Sequence, residues 1–445
     1  MKIIEPKLLY TEKGFAPKQS VCIQNGRIAD ICDRAVARRL YPDARFEEWE
    51  NMVMIPGTVN AHNHCFQSLL RGLSCDKPFL QWRDEALYKF SPAMTGEDIY
   101  NGALFAFSEM MKYGVTTVCD FFYLHNFGVE SDEMVIKAAK DTGIRLVLAR
   151  TMYDWGGAPA GYVESVNMAS GNTIALHDKY ENDEMVSVIP APHSLHAATI
   201  EMLQEGHSLA KKFGCKYHIH VAEEPFEVEQ VKKEFGGLTP IEVMDKYGLI
   251  DESIVIIHGV WLKESEIELL GSKGGNLVYC PSSNMFLADG VTDLPMMMRS
   301  GVRIGLGSDG ACSNNRISIF EEMRMAALLQ KAKTCDAMCM NYIDTFKMGT
   351  EKGAEILDLK AGKIEVGYAA DLVGINMLDM SMQPVSEDYE QLLPNIVYSM
   401  QPSCVREVIV NGKAVVKGGE LCNISENEVI SKVRETMFRL QNKSF

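Results

Sequence analysis

The sequence has no long apolar run and few basic residues. No stretch approaches the roughly 18 apolar residues that a membrane-spanning helix needs, and residues 1–7 contain no apolar segment of signal-peptide length. The 44 Lys and Arg residues are outnumbered by 60 Asp and Glu residues, which gives a formal charge of −16. Nucleic acids and anionic membranes both require a basic surface. We therefore expect a cytoplasmic protein with a small-molecule partner and with no nucleic-acid or membrane partner.

Several common catalytic motifs are also missing. The chain contains no Gly-x-Ser-x-Gly, no His-Glu-x-x-His and no Walker spacing, which argues against serine hydrolases, zincins and P-loop enzymes. Its twelve cysteines are scattered and form no Cys-x-x-Cys pair. This pattern is typical of reduced, mostly buried thiols in a cytosolic protein.

Strand-like and helix-like stretches alternate between residues 52 and 360. The strand-like stretches are 52–59, 116–121, 145–150, 186–190, 216–221, 254–258, 276–280 and 303–307. Helical periodicity fills most intervals, for example 99–113, 199–213, 263–270 and 319–331. Eight such units predict an α/β fold, a closed TIM-like (β/α)8 barrel, with its active site at the carboxyl ends of the strands. The alternative is an open, doubly wound sheet, but no Gly-x-Gly-x-x-Gly follows the first strand.

Both ends of the chain carry short strand-like segments. Asn25-Gly26 and Asn411-Gly412 each separate two apolar segments, and Asn-Gly is favoured in tight hairpin turns. The terminal segments are too small to bury separate cores. We predict that residues 1–54 and 361–445 combine into one small β-sandwich domain, and that residues 55–360 form the catalytic barrel.

Histidines and an aspartate stand at the ends of several predicted strands. His62 and His64 follow the first strand, and alternation places both side chains on one face. His220 ends the fifth strand, His258 ends the sixth, and Asp309 follows the eighth. All five lie on one rim of the predicted barrel, which predicts a metal site. Imidazole and carboxylate ligands suit one divalent ion, Zn²⁺ in the first place and Fe²⁺ in the second. Such an ion lowers the pKa of bound water from about 15.7 to about 7, which indicates hydrolysis.

Two residues near His220 leave alternatives open. Glu223 follows it by three residues, where a carboxylate can move a proton from water to a nitrogen leaving group, as C–N bond hydrolysis requires. The alternative is a solvated loop acid, since Glu224 stands beside it. His218 shares the strand face of His220, and spacing alone does not decide which of the two binds the metal.

These segments resemble the amidohydrolase superfamily, in its branch of cytosine-deaminase-like and chlorohydrolase-like enzymes. The resemblance covers nearly the full chain and is carried by the His-x-His after Pro56-Gly57, His220-Val221-Ala222-Glu223, His258-Gly259 and Gly307-Ser308-Asp309-Gly310. It implies that one metal ion is bound by His62, His64, His220 and Asp309. It also implies that Glu223 transfers protons, that His258 hydrogen-bonds the water or the attacked centre, and that Asp309 accepts a proton from the water.

The sequence resembles two enzyme families that act on different substrates. The first is N-formimino-L-glutamate iminohydrolase. The similar segments are His64-Cys65-Phe66-Gln67, Trp82-Arg83, Tyr123-Leu124-His125 and Pro192-His193-Ser194-Leu195. The resemblance implies that the substrate is faced by Gln67, Arg83, Tyr123 and His193. We add Trp82, which lies in the long insertion at 65–94, and His196, which replaces an arginine that binds the substrate carboxylate in that family. No role is assigned to His125.

The second resemblance is to the family of S-adenosylhomocysteine and methylthioadenosine deaminases. It is carried by Leu69-Leu70-Arg71-Gly72 and by the segment at 309–315. Those enzymes hold ribose hydroxyls with a glutamate some nine residues after the lid tryptophan, where this chain has Ser91.

The leading hypothesis is a metal-dependent deaminase or iminohydrolase that acts on a non-peptide C–N bond of a small molecule and releases ammonia. The alternatives are a purine, adenosine or other heterocycle deaminase, a triazine-like chlorohydrolase, and an inert barrel that binds a small molecule. Ammonia release and metal content separate an enzyme from an inert barrel. A homo-oligomer is compatible with the sequence.

Overall fold

The computed structural model describes residues 1–442. Its strands are β1 (Lys2–Thr11), β2 (Gly14–Pro17), β3 (Gln19–Gln24), β4 (Arg27–Asp33), β5 (Arg45–Pro56), β6 (Thr58–Asn63), β7 (Val115–Phe122), β8 (Arg145–Met152), β9 (Val186–Pro192), β10 (Tyr217–Val221), β11 (Ile254–His258), β12 (Asn276–Tyr279), β13 (Arg303–Leu306), β14 (Leu372–Asn376), β15 (Val405–Val410), β16 (Lys413–Lys417) and β17 (Glu420–Leu421).

The α-helices are α1 (Arg34–Leu40), α2 (Phe79–Trp82), α3 (Gly96–Lys112), α4 (Val129–Thr142), α5 (Val166–Tyr180), α6 (Ile200–Phe213), α7 (Pro225–Glu234), α8 (Pro240–Lys246), α9 (Glu264–Ser272), α10 (Pro281–Phe286), α11 (Leu294–Arg299), α12 (Ile319–Thr334), α13 (Tyr342–Met348), α14 (Glu351–Glu355), α15 (Leu392–Tyr398) and α16 (Glu426–Gln441). Among the described residues, every helix is too short or too polar to cross a membrane.

Strands β6 to β13 form the predicted barrel, with helices between them. They make two parallel four-stranded sheets, β6-β7-β8-β9 and β10-β11-β12-β13, each in chain order. One junction of the sheets carries a hydrogen bond of 2.9 Å from the His220 N–H to the His193 carbonyl oxygen. At the other junction the Asp309 N–H donates to the His62 carbonyl oxygen at 3.1 Å. The (β/α)8 fold is confirmed, and both junctions lie beside predicted metal ligands.

The apolar run at 52–59, interpreted above as a single strand, is divided between two strands. Residues 52–56 form the end of β5, which belongs to the terminal sheet. Strand β6 begins only at Thr58. The chain changes sheets at Gly57, whose N–H donates to the Asp371 carbonyl oxygen at 2.9 Å. A Cβ at Gly57 would collide with the side chain of Thr116, so only glycine fits here. The single-strand interpretation was wrong, but His62 still lies in the first barrel strand, and His64 follows it directly.

Strands from both chain ends form a separate nine-stranded sheet. Its order is β17-β16-β15-β14-β5-β1-β3-β4, with β2 paired to β1. Both Asn-Gly hairpins are present, and Asn25 and Asn411 have φ of +50° and +47°. The C-terminal segment also supplies α16, which packs on α3 through a 3.1 Å hydrogen bond from Asn101 Nδ2 to Thr436 Oγ1. The domain boundaries after residues 54 and 360 stay a prediction.

Candidate active site

The predicted metal ligands converge at the carboxyl ends of the barrel strands. Nitrogens of His62, His64 and His220 lie within 4.8 Å of one another. Asp309 Oδ1 is 3.5 Å from His62 Nε2 and 3.2 Å from His64 Nε2. His220 Nε2 lies 3.3 Å from His62 Nε2. Three imidazoles therefore converge, with the Asp309 carboxylate beside two of them.

Backbone hydrogen bonds at the Nδ1 atoms of His64 and His220 determine which ring nitrogens are available to a metal. His64 Nδ1 donates to the Phe121 carbonyl oxygen at 2.6 Å, and His220 Nδ1 donates to the His193 carbonyl oxygen at 3.2 Å. The Nε2 atoms of both rings then carry lone pairs. Burial lowers the pKa of His62 to about 3, which keeps that ring neutral. Converging imidazole nitrogens beside a carboxylate are a donor set that fits a divalent cation such as Zn²⁺.

Asp309 is held by groups that sequence reasoning missed. Its Oδ2 accepts hydrogen bonds from Ser283 Oγ at 2.6 Å and Ser313 Oγ at 2.9 Å, and its Oδ1 accepts one from the Gly310 N–H at 2.7 Å. The backbone of Asp309 has a φ of +58°, an unfavourable conformation for most residues. Such strain is common where a side chain must be aimed at a site.

Of the two histidines on β10, the structure brings His220 into the ligand cluster. His218 is fully buried, and its Nδ1 is 3.7 Å from Cys119 Sγ. Burial lowers the pKa of His218 to about 3. Its imidazole is therefore a neutral group in the barrel interior.

Glu223 is buried instead of solvated. Only 6 % of the residue is exposed. Its Oε1 lies 3.3 Å from His258 Nε2, and its backbone N–H donates to Glu227 Oε2 at 3.1 Å. Burial, followed by the neighbouring carboxylates of Asp289 and Glu227, raises the pKa of Glu223 well above its usual range. A carboxyl group in this environment is suited to holding and releasing a proton.

His258 is oriented by a residue that sequence reasoning missed. Asn284 Nδ2 lies 3.1 Å from His258 Nδ1 and 2.9 Å from Asp289 Oδ2. In this amide orientation Asn284 donates to Nδ1, so the proton of His258 is on Nε2, which faces Glu223. The position of Asn284, shortly after the seventh predicted strand, was a signal that it lies near the rim.

Replacing Asn284 by Asp should lower kcat by roughly 10- to 100-fold and leave the metal content unchanged. An ionised aspartate of the same shape only accepts hydrogen bonds, so the single proton of the neutral His258 ring moves from Nε2 to Nδ1. Steady-state kinetics and metal analysis on the same preparation check this result. Unchanged kcat would show that the tautomer of His258 is not set by Asn284.

The predicted substrate-binding residues all border one cavity of about 340 Å³. These residues are Gln67, Trp82, Arg83, Tyr123, His193 and His196. The cavity is also lined by His64, His220, Glu223, His258 and Asp309, so it opens directly onto the ligand cluster. The insertion supplies α2 and the π-helical segment Arg83–Tyr88 to its wall.

Part of the aromatic wall on this cavity went unpredicted: Tyr123 was predicted to face the substrate, whereas Tyr153 and Tyr162 were not. The Tyr162 ring lies 5.8 Å from Tyr88, 5.0 Å from Tyr123 and 6.1 Å from Tyr153, between ring centroids. The hydroxyls mostly bind one another or nearby polar groups, for example Gln67 Nε2 donating to the Tyr123 hydroxyl at 2.7 Å. These tyrosines come from separate loops, so no local pattern in the sequence groups them.

Arg83 and His196 are both engaged by acidic neighbours. Arg83 Nε and Nη2 lie 2.9 Å and 2.8 Å from Asp84 Oδ1, and its guanidinium is 4.6 Å from the Tyr88 ring centroid. His196 Nδ1 is 3.4 Å from Glu227 Oε1. Burial lowers the pKa of His196 to about 4, so the imidazole is neutral where the iminohydrolase resemblance expects a cation.

Two other positions singled out in the sequence lie behind the cavity wall. His125 Nε2 is 3.1 Å from the Thr151 carbonyl oxygen, and its Nδ1 is 3.5 Å from Asp132 Oδ2. Ser91 is buried, and its hydroxyl is 2.6 Å from the Tyr162 hydroxyl. The residue at the ribose-binding position of the deaminases therefore supports the aromatic wall.

Comparison with known proteins adds an independent line of evidence. The model of a family described as "Amidohydrolase family" matches residues 53–415. A 5-methylthioadenosine/S-adenosylhomocysteine deaminase from Syntrophomonas wolfei is 33% identical over 424 residues, which cover 94% of each chain. A 5′-deoxyadenosine deaminase from Methanosphaera stadtmanae is 35% identical over 381 residues, or 85% of this chain and 86% of that protein.

Solved structures give the same fold. An adenosine deaminase from Xanthomonas campestris with bound zinc has a TM-score of 0.92 and 26% identity, and covers 99% of this chain and 98% of its own. An atrazine chlorohydrolase from Arthrobacter aurescens, complexed with zinc and atraton, has a TM-score of 0.90, with 98% and 100% of the two chains covered. Its 20% identity supports the fold alone.

Proposed function

This chain belongs to the amidohydrolase family, whose members hydrolyse carbon–nitrogen bonds, and on that premise we propose that it is a metal-dependent deaminase of an amino-substituted nitrogen heterocycle. The observation that carries the proposal is the convergence of His62, His64, His220 and Asp309 beside the Glu223–His258 pair, at the end of an aromatic-walled cavity. The metal we propose is Zn²⁺, which the deaminase from Xanthomonas campestris contains. We place the enzyme in the cytoplasm, since its twelve cysteines are unpaired.

The three histidines and Asp309 would hold the ion. When bound there, it supplies activation of water as a nucleophile at neutral pH. Asp309, already oriented by Ser283 and Ser313, accepts the proton that the water loses. Glu223 donates a proton to the departing nitrogen, so that ammonia leaves as a neutral molecule. His258 donates from Nε2 to the oxygen added at the attacked carbon and stabilises the charge that develops there.

The cavity wall supports a planar substrate. Aromatic rings stack favourably on one another, and the tyrosine hydroxyls are already engaged. The deaminases named above act on adenine nucleosides, in which an amino group is carried by an aromatic ring. Because Ser91 is bound to Tyr162, we include free bases as well as nucleosides among the candidate substrates.

An ammonia-release screen over purines, pterins, their nucleosides, formimino acids and guanidino acids tests the proposal. We expect zinc-loaded enzyme to release ammonia from at least one amino-heterocycle and to lose this activity after chelation. Release from the acidic formimino or guanidino substrates alone would contradict the substrate class while leaving the reaction class intact.

A second candidate function, hydrolysis of an acidic formimino substrate, is favoured by one observation. Arg83 borders the cavity, and its contacts with Asp84 are on the π-helical wall segment Arg83–Tyr88. A planar guanidinium released from that pair fits a substrate carboxylate.

Replacing Arg83 by Met distinguishes the two candidate functions, heterocycle deaminase and iminohydrolase. On a neutral amino-heterocycle we expect kcat/KM to change by less than about threefold, because an ion pair near the surface contributes little. An acidic substrate bound through Arg83 should lose roughly 10- to 100-fold, equivalent to a charge-assisted bond of about 1.5 to 3 kcal/mol. The measurement compares an acid with its neutral amide analogue in parent and variant. A selective loss on the acid would favour the iminohydrolase.

A further inference from the structure

Two cysteines and an aspartate share one face of the β3–β4 hairpin, far from the barrel strands in sequence. Cys22 is paired with Asp30, and Ser20 is paired with Cys32, in the antiparallel register. Since alternate residues of a strand point to the same side, Asp30 and Cys32 lie on the face that carries Cys22. The two Sγ atoms and a carboxylate oxygen of Asp30 lie within 4.8 Å of one another.

This cluster is buried on one side and accessible to solvent on the other. Cys22 is buried beside Ile3 and Ala37, where α1 covers the sheet. Asp30 and Cys32 are partly exposed, so an ion can enter from solvent. A hydrogen bond of 3.1 Å from the Tyr41 hydroxyl reaches Asp30 Oδ2, and the Ile31 N–H donates to Oδ1 at 2.9 Å. These bonds fix the carboxylate as supporting groups fix a metal ligand.

The charges around the cluster favour a cation. Within residues 1–442, no ion pair joins Asp30 to a lysine or arginine, and the nearby Glu5 is already paired with Arg38 at 2.6 Å. Three groups that can each become negative thus stand together without a positive partner.

We propose that Cys22, Asp30 and Cys32 form a second metal site, which binds one Zn²⁺ through two thiolates and one carboxylate. Thiolate ligands select zinc over magnesium and calcium, and three protein ligands leave one tetrahedral position for water. Binding replaces two thiol protons, which pass to solvent. Because β4 is the edge strand of the terminal sheet, the ion ties this edge to β3.

Cobalt loading of the full chain tests this site separately from the catalytic one. Thiolate ligation of Co²⁺ gives a sulfur-to-metal charge-transfer absorption, which the imidazole and carboxylate ligands of the catalytic site do not give. We expect the band in the parent protein with two Co²⁺ ions per chain. In the double variant Cys22→Ser, Cys32→Ser the band should vanish and the content should fall to one, with the catalytic ion retained.

The control double variant Cys335→Ser, Cys422→Ser removes exposed thiols and should keep the band. Asp30→Asn leaves both thiols in place and should weaken cobalt binding by roughly tenfold. A band that survives the loss of Cys22 and Cys32 overturns the proposal. The proposal is also overturned if the intact mass of protein purified without reductant shows that Cys22 and Cys32 are joined as a disulfide.

Discussion

Replacing Glu223 by Gln should lower kcat by roughly 10²-fold or more and leave one metal ion in the catalytic site. The substitution keeps the shape of the side chain but removes the proton that the carboxyl group donates to the leaving nitrogen. The four proposed metal ligands are untouched, so the ion stays bound. Ammonia release and metal analysis on the same preparation measure both quantities.

Glu224→Gln is the matched control for this variant. Glu224 is the adjacent acid, but the cavity is lined by Glu223 and not by Glu224. We expect a much smaller loss in the control. Near-normal turnover in Glu223→Gln would contradict its role in proton transfer, and comparable losses in both variants would indicate a general electrostatic effect of this loop.

Local periodicity predicted the barrel but missed how its first strand begins. The run at 52–59 is mostly apolar, and the Pro56-Gly57 pair within it is a break signal that the single-strand interpretation passed over. The division depends on pairing over long sequence distances, since Ile55 lies opposite Val373 of β14 while Thr58 lies opposite Val115 of β7. Helix and strand patterns report which faces are buried, but not which partner covers them.

The alternative between His218 and His220 shows the same limit within the site. Both side chains point to one face of β10, and alternation cannot distinguish them. They differ in depth, because two residues along a strand span about 6.6 Å. Only the three-dimensional position of the other ligands places His220 at the rim. Asn284, Tyr153 and Tyr162 were missed for a related reason, since each acts through contacts made by separate loops.

The second prediction with a large expected effect concerns His218 and His220. His220→Asn should empty the catalytic metal site and lower activity by roughly 10³-fold or more, because activation of water by the ion contributes several kcal/mol. Asparagine has a polar atom near the position of Nδ1 but none at the position of Nε2, so it keeps the hydrogen bond to His193 and loses the metal ligand. Metal content per chain and ammonia release give the two measurements.

His218→Asn is the control, since it makes the same chemical change two residues earlier on the same strand face. We expect it to retain the catalytic metal and to lower mainly the melting temperature, because a buried ring is replaced by a smaller side chain and leaves a cavity. Loss of metal in His218→Asn with retention in His220→Asn would reverse the assignment. Loss in both would mean that the interior of β10 supports the site as a unit, so the cluster geometry alone would not identify the ligand.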